Sequence, residues 1–189
     1  MPQIKEYKDI VQPGKVFTAI DVETTGLDSF YHKIVEIACV RYIDGKAVDS
    51  YSSLINPGRD IPDEAFKISG ISNDMVADKP FFSEVCGDFL KFISGSVLVA
   101  HNVQFDLGFI NSALAAAGST YLANDYIDTL DMARKAWPGR NSYALQALAA
   151  DFRINVNAAH RAEDDSRVCM EVFYLANKIF NPGGQISLF

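Results

Sequence analysis

Three short clusters of acids and histidines are the segments of this 189-residue chain that could do chemistry. They are Asp21-Val-Glu23, His101-Asn-Val-Gln-Phe-Asp106 and His160-Arg-Ala-Glu-Asp-Asp165. Each cluster alone is weak evidence for a functional site, because acids are common at strand ends and are favoured in first helical turns by the helix dipole. Together they supply oxygen ligands and no cysteine, which favours hard cations such as Mg²⁺ or Mn²⁺ over structural zinc.

The spacing within the clusters indicates which side chains would act. The two-residue period of a strand puts Asp21 and Glu23 on one face, where two carboxylates repel unless a cation neutralises them. Asp165 lies at the margin of an apolar helical stripe, whereas Glu163 and Asp164 are interpreted as outward, solvated charges. Four carboxylates and one histidine are what a two-metal phosphoryl hydrolase requires, with its metals ~3.5–4 Å apart and a base for the attacking water.

The elements that must position these clusters follow from hydrophobic periodicity and turn residues. Apolar runs predict strands, and Asp44-Gly45 predicts a tight hairpin between the second and third. Helices are predicted where apolar residues recur at helical spacing, with Asn102 as a candidate N-cap of the helix that carries Asp106. The pattern is a mixed α/β sheet with helices packed on it. The predicted strands are 16–22, 34–43, 47–55, 97–100 and 126–129, and the predicted helices are 78–93, 103–117, 131–137, 142–151 and 162–179.

The composition favours one globular domain and excludes several classes of protein. Hydrophobic residues make up 49% and charged residues 22%, which is too apolar for intrinsic disorder. No apolar run approaches the ~20 residues that span a bilayer, and the charged N-terminus lacks the apolar core of a signal peptide. Cys39, Cys86 and Cys169 are interpreted as buried thiols in a reducing compartment, so we expect a cytoplasmic protein without a membrane partner.

The net charge of −7 argues against binding nucleic acid mainly through a basic surface. It does not exclude an enzyme that meets phosphates through bound metal cations, for which acidic side chains are needed.

In order and spacing, the three clusters resemble the motifs of the DEDDh (DnaQ-like) 3′-to-5′ exonucleases, a likeness that covers residues 15–180. The match is nearest to the epsilon subunit of bacterial DNA polymerase III and to PolC-type exonuclease domains. The resemblance implies an RNase H-like mixed five-stranded sheet flanked by helices. It also implies release of nucleoside 5′-monophosphates from a 3′ end. Two Mg²⁺ or Mn²⁺ ions would be held by Asp21, Glu23, Asp106 and Asp165, with His160 as the general base.

The resemblance also implies a binding site for the terminal nucleotide. His101 is interpreted as a structural hydrogen-bonding residue and Asp128 as a residue that orders a strand end. Many epsilon-type chains have His where this chain has Ser69, which affects one substrate contact and not the metal chemistry. The residues implied to line the terminal nucleotide are Thr24, Gly26, Leu27 and Phe105, with Glu64 near the 3′-hydroxyl.

A C-terminal tail follows the predicted exonuclease domain of residues 1–180. Residues 181–189 are predicted to be flexible, and they end in Gln185, Ile186, Ser187, Leu188 and Phe189. This ending resembles the short peptide with which bacterial replication proteins bind the sliding clamp. An exposed Leu-Phe pair has no core of its own and would fill an apolar pocket of a partner.

The leading hypothesis is therefore a DNA 3′-to-5′ exonuclease for proofreading or repair, tethered to the clamp. One alternative is an RNA-trimming exonuclease of the same superfamily. Another, from a different class, is a non-catalytic binding module recruited to the clamp. A polymerase subunit stays open as a partner.

Overall fold

The structure, a computed structural model, describes residues 1–157 and 159–182. Its centre is a five-stranded sheet with the order β3-β2-β1-β4-β5. The pairs β1–β2 and β2–β3 are antiparallel, and β1–β4 and β4–β5 are parallel. Helices pack on both faces of this mixed sheet, as the sequence predicts. The strands are β1 Val16–Thr24, β2 Ile34–Ile43, β3 Lys46–Leu54, β4 Val97–Ala100 and β5 Tyr126–Asp128. The helices are α1 Asp63–Ser69, α2 Asn73–Val76, α3 Phe82–Ile93, α4 Val103–Ala116, α5 Thr129–Ala136, α6 Leu145–Phe152 and α7 Ala162–Phe180.

The alternation of side chains along β1 divides the core into two layers. Ile20 and Val22 pack with buried residues of α3 and α4 on one face of the sheet. Phe17 and Ala19 pack with α7 on the other face, where the rings of Phe17 and Phe173 lie 5.1 Å apart. The same two-residue period carries Asp21 and Glu23 to the α7 side. The apolar half of β1 thus determines the face on which its two acids emerge.

The Asp44-Gly45 hairpin is confirmed, because both residues have the left-handed backbone that a two-residue turn requires, with φ of 50° and 79°. Two helix starts were predicted wrongly. The third helix begins at Phe82 and not at residue 78, because the ring of Pro80 disfavours helical backbone at the preceding residue, Lys79. The sixth begins at Leu145 and not at residue 142. Asn102 is the N-cap residue of α4, as predicted, but it has φ of 65° and its side chain makes no capping hydrogen bond.

Cys39 and Cys169 are buried as predicted, whereas Cys86 is half-buried on α3. The Cys86 thiol donates to the carbonyl oxygen of Ser83, so it lies against its own helix at the edge of the core. Among the described residues, no helix is long and apolar enough to cross a membrane.

Candidate active site

The parallel pairing of β1 with β4 brings the first two clusters to one edge of the sheet. Asp21 and Glu23 lie near the carboxyl end of β1, and Asp106 lies in the first turn of α4, which follows β4. Asp106 Oδ1 accepts a hydrogen bond from the backbone N–H of Val22, at 3.1 Å, between the two acids of β1. Asp106 is 2% exposed, so its carboxylate lies inside the protein.

The third cluster reaches the same edge from the start of α7. The ligand atoms of Glu23, His160 and Asp165 lie within 4.8 Å of one another. Asp165 Oδ2 accepts from the backbone N–H of His160 at 3.0 Å, and Gln146 of α6 donates to Asp165 Oδ1 at 2.6 Å. His160 is exposed and has a left-handed backbone, with φ of 60°. The Asp165 carboxylate thus holds the backbone of the residue that carries the imidazole.

Burial and mutual repulsion disfavour the charged form of the carboxyl groups. Burial raises the pKa of Asp21 well above its ordinary range, and the charges of Asp106, Glu23 and Asp165 raise it further. Burial, and then the charges of Asp165, Glu36 and Asp106, raise the pKa of Glu23 to about 8.

The other two acids follow the same rule. Burial raises the pKa of Asp106 to about 8, outweighing the backbone hydrogen bonds that lower it. Burial also raises the pKa of Asp165, against the opposing hydrogen bonds from His160 and Gln146. A divalent cation among these groups would reverse the balance, because an opposite charge favours the ionised form. The donor set therefore fits divalent metal ions.

A pocket of about 430 Å³ lies beside these acids. It is lined by all five residues predicted to bind the terminal nucleotide: Thr24, Gly26, Leu27, Glu64 and Phe105. Its wall is mostly apolar, and Glu23 lines it as well as lying among the acids. A group bound in the pocket would therefore lie next to the carboxylates.

Sequence reasoning missed part of this pocket, in particular His32 and Ile68. A Cβ built on Gly26 would lie 2.4 Å from His32 Cε1, so the imidazole packs directly on the glycine backbone. The His32 ring is in turn hydrogen-bonded to Thr25 Oγ1, at 3.2 Å from Nδ1. The close approach explains why glycine stands at position 26, and it could not be inferred without knowing that the loop returns upon itself.

An ion pair between β2 and α7 also escaped sequence reasoning. The Arg161 guanidinium donates to both carboxylate oxygens of Glu36, at 2.6 and 3.1 Å, and the N–H of Ala162 donates to Glu36 Oε2 at 3.1 Å. Glu36 is 5% exposed and faces Glu23 in the strand register. The buried carboxylate thus joins the start of α7, one residue after His160, to the central sheet.

The interpretation of Asp164 as a solvated charge is wrong. The Asp164 side chain is buried, accepts from the backbone N–H of Asn157 at 2.7 Å and pairs with Arg167 at 2.9 Å. It turns inward because the segment before α7 folds back over the helix and supplies these donors. Glu163 is exposed, as predicted.

The structural interpretation of His101 is confirmed. Its two ring nitrogens lie 2.9 Å from Thr129 Oγ1 and 2.8 Å from the carbonyl oxygen of Tyr143, and burial lowers its pKa. Asp128 ends β5, as predicted, and its Oδ1 accepts from the N–H groups of Leu130 and Asn102.

Ser69 does not line the pocket. It is buried at the end of α1, where its hydroxyl donates to the carbonyl oxygen of Ala65 and accepts from the N–H of Ile71. The clamp-binding prediction for Gln185–Phe189 concerns residues outside the described part of the chain.

Comparison with known proteins identifies the family of the chain. Residues 18–173 match the family described as Exonuclease (RNase_T). The chain is 46% identical to DNA polymerase III subunit epsilon of Treponema pallidum over 159 residues, which are 83% of this chain and 74% of that protein. It is 38% identical to the PolC-type DNA polymerase III of Caldanaerobacter subterraneus subsp. tengcongensis, covering 83% of this chain but 11% of that much longer protein.

Two solved structures extend the comparison. Exonuclease X in complex with 5′ overhanging duplex DNA is 33% identical, with a TM-score of 0.66 and coverage of 89% of this chain and 93% of that one. E. coli Exonuclease I in complex with a dA16 oligonucleotide superposes with a TM-score of 0.78 over 89% of this chain and 42% of that one. At 18% identity it shows the fold alone. The chain belongs to the exonuclease family and is an enzyme of that family, similar to its DNA polymerase III epsilon members.

Proposed function

We propose that this protein is a metal-dependent 3′-to-5′ DNA exonuclease that releases nucleoside 5′-monophosphates. The observation that carries the proposal is the convergence of Asp21, Glu23, Asp106 and Asp165, with His160, beside a pocket large enough for a nucleotide. These four carboxylates would hold two Mg²⁺ or Mn²⁺ ions. When bound, the metals would stabilise the attacking and leaving oxygens of a phosphodiester hydrolysis.

Side chains of the site would activate the water and position the substrate. The exposed His160 imidazole lies beside Glu23 and Asp165, where it can take a proton from an attacking water. Leu27 and Phe105 supply apolar surface for the base and sugar of the terminal nucleotide, and Glu64 can accept a hydrogen bond from its 3′-hydroxyl. Gln146 and the His160 backbone N–H keep Asp165 oriented.

Similar proteins support a DNA substrate, and we propose a role in proofreading or repair together with it. The T. pallidum and C. subterraneus relatives are DNA polymerase III chains, and Exonuclease X was solved with DNA. A polymerase subunit is a candidate partner for the same reason. The competing function is RNA trimming, since none of the contacts proposed above distinguishes ribose from deoxyribose. A non-catalytic binding module is disfavoured because all four carboxylates and the histidine are present.

We further propose that the tail tethers the enzyme to the sliding clamp through Gln185–Phe189. Tethering raises local concentration, which would offset weak intrinsic DNA affinity in a protein of net charge −7. The three cysteines are free, which supports a cytoplasmic location. Removing residues 185–189 should abolish clamp binding in calorimetry while hydrolysis of free DNA stays within twofold. Unchanged clamp affinity would refute the tether.

The activity is tested with 5′-labelled single-stranded DNA and RNA of one sequence, in Mg²⁺, Mn²⁺ or EDTA. We expect a metal-dependent ladder that shortens the DNA from its 3′ end. The Asp21→Ala, Glu23→Ala double variant should lose the ladder by at least about 100-fold. Glu163→Gln is the matched control, because it neutralises an exposed acid of the third cluster and should act within twofold of wild type. If only the RNA were shortened, the function would be RNA trimming. If neither the DNA nor the RNA were shortened, the result would favour the non-catalytic binding module.

A further inference from the structure

The turn between β1 and β2 presents two exposed aromatic side chains beside the pocket. Its ends, Leu27 and His32, both line the pocket. Between them, Phe30 is 80% exposed and Tyr31 66% exposed, with their rings 5.2 Å apart and inclined at 77°. Two adjacent large aromatic side chains exposed to water do not contribute to the core, and exposed apolar surface of this kind is typical of a binding site.

The backbone that carries these rings is well braced. Asp28 accepts from the N–H of Phe30 through its carboxylate and from the N–H of His32 through its carbonyl, both at 2.8 Å. On the α4 side, Ser29 packs on Gly108, where an added Cβ would lie 3.3 Å from Ser29 Oγ. The rings therefore project from an ordered turn, and a ligand would lose little free energy to ordering it.

A positive charge accompanies the rings. The Arg59 guanidinium donates to the carbonyl oxygen of Tyr31 at 2.6 Å, and Arg59 is exposed. Within the described ranges Arg59 forms no ion pair, although the chain as a whole carries a charge of −7. Its charge is therefore available to an anion that approaches the turn.

We propose that the Phe30–Tyr31 turn binds the nucleotides that precede the 3′-terminal one, with bases stacked on the two rings and Arg59 beside a backbone phosphate. The inference rests on the proposed function, since it assumes that the terminal nucleotide occupies the pocket. Three observations select single-stranded nucleic acid as the occupant: the turn is continuous with the pocket, aromatic rings stack on bases of any sequence, and Arg59 complements phosphate.

The test uses an oligonucleotide with the fluorescent base 2-aminopurine at the 3′-terminal or the third nucleotide. Binding is followed in Ca²⁺, with cleavage monitored in the same sample. With wild type, the fluorescence of both probes should fall on binding, since stacking quenches this base. The Phe30→Ala, Tyr31→Ala double variant should lose the change at the third nucleotide, retain it at the terminal one, and bind at least about 30-fold more weakly.

Three further variants sharpen the result. Tyr31→Phe retains the ring and should bind within twofold of wild type. Tyr121→Ala removes an aromatic side chain of similar exposure (68%) from outside the turn and should have no effect. Arg59→Gln should reduce the salt dependence of log Kd by about 0.7, the value for one phosphate of a single strand.

The two probes distinguish a failure of the Phe30–Tyr31 turn from a failure of the exonuclease activity. A terminal probe that responds, combined with wild-type affinity in the double variant, would overturn the role of the turn and leave the exonuclease intact. A terminal probe that does not respond, together with no shortening of labelled DNA in Mn²⁺, would overturn the proposed function itself. Equal loss at both probe positions would show that the double variant distorts the pocket, and would also refute separate binding of the upstream nucleotides.

Discussion

Removing divalent metal should make the stability of this protein fall as the pH rises from 6 to 8. Burial and mutual repulsion raise the pKa values of Asp21, Glu23, Asp106 and Asp165. In the unfolded chain these groups return to ordinary values near 4, so over this pH range the metal-free folded state holds more protons than the unfolded state. Each such proton lowers the free energy of unfolding by about 1.4 kcal/mol per pH unit.

The magnitude can be worked from Asp106, which is buried and has a pKa of about 8. Its stabilising contribution is present below its unfolded pKa near 4 and is lost as the pH rises through 8. Between pH 6 and 8 it accounts for about 2 kcal/mol, and the other three acids act in the same direction. For a chain of this length, about 2 kcal/mol corresponds to a fall in Tm of about 4–8 °C. Saturating Mn²⁺ should abolish the fall, since bound metal favours the ionised carboxylates.

The assay is thermal unfolding of the whole chain at pH 6, 7 and 8, in EDTA or in Mn²⁺. Asp106→Asn is the informative variant, because an amide oxygen can still accept from the Val22 N–H while the charge is gone. It should unfold at a higher temperature than wild type in EDTA at pH 8, and Mn²⁺ should raise its Tm less than that of wild type. Asp74→Asn, at an exposed carboxylate of α2, is the control and should behave as wild type. A Tm in EDTA that is constant or rises from pH 6 to 8 would refute the reasoning.

Two further predictions concern contacts around the pocket and the start of α7. Gly26→Ala should drive a methyl group into the His32 ring and lower kcat/KM at least about 10-fold. Gly87→Ala places its methyl group in open space on α3, so this variant should retain full activity and its free energy of unfolding should rise by about 0.5–1 kcal/mol. Equal activity of these two variants would count against a close glycine contact. Glu36→Gln weakens the pairing with Arg161. It should lower the free energy of unfolding, measured in urea, by about 1–3 kcal/mol, and it should also lower kcat. Wild-type stability in that variant would show that water replaces the ion pair at no cost.

Local sequence is sufficient to predict the strands of the sheet and the common face of two of the acids, for a physical reason. Strand periodicity and the Asp44-Gly45 turn are local, so β1, its hairpin and the common face of Asp21 and Glu23 follow from neighbouring residues. Boundaries were less predictable. The start of α3 depends on Pro80, whose effect local apolar spacing does not reveal.

What the sequence could not show depends on contacts that form only when the chain folds back on itself. The wrong interpretation of Asp164 came from treating one helix alone, since its partner Asn157 belongs to the loop that precedes α7. Glu36 and Arg161 are 125 residues apart, and nothing in either local sequence indicates that they pair. His32 has the same character, because its contact with Gly26 exists only when the turn closes.

The proposed chemistry is compatible with the acidity of the chain. Asp21, Glu23, Asp106 and Asp165 gather at one sheet edge, where each raises the cost of ionising the others or is itself penalised by burial. A fold that keeps such a group of buried acids has lower stability when metal is absent at neutral pH. The same arrangement gives divalent cations a site in which binding relieves repulsion. Affinity for nucleic acid would then depend on the bound metals, the pocket beside them and the Phe30–Tyr31 turn, and not mainly on a basic surface, which is consistent with a net charge of −7.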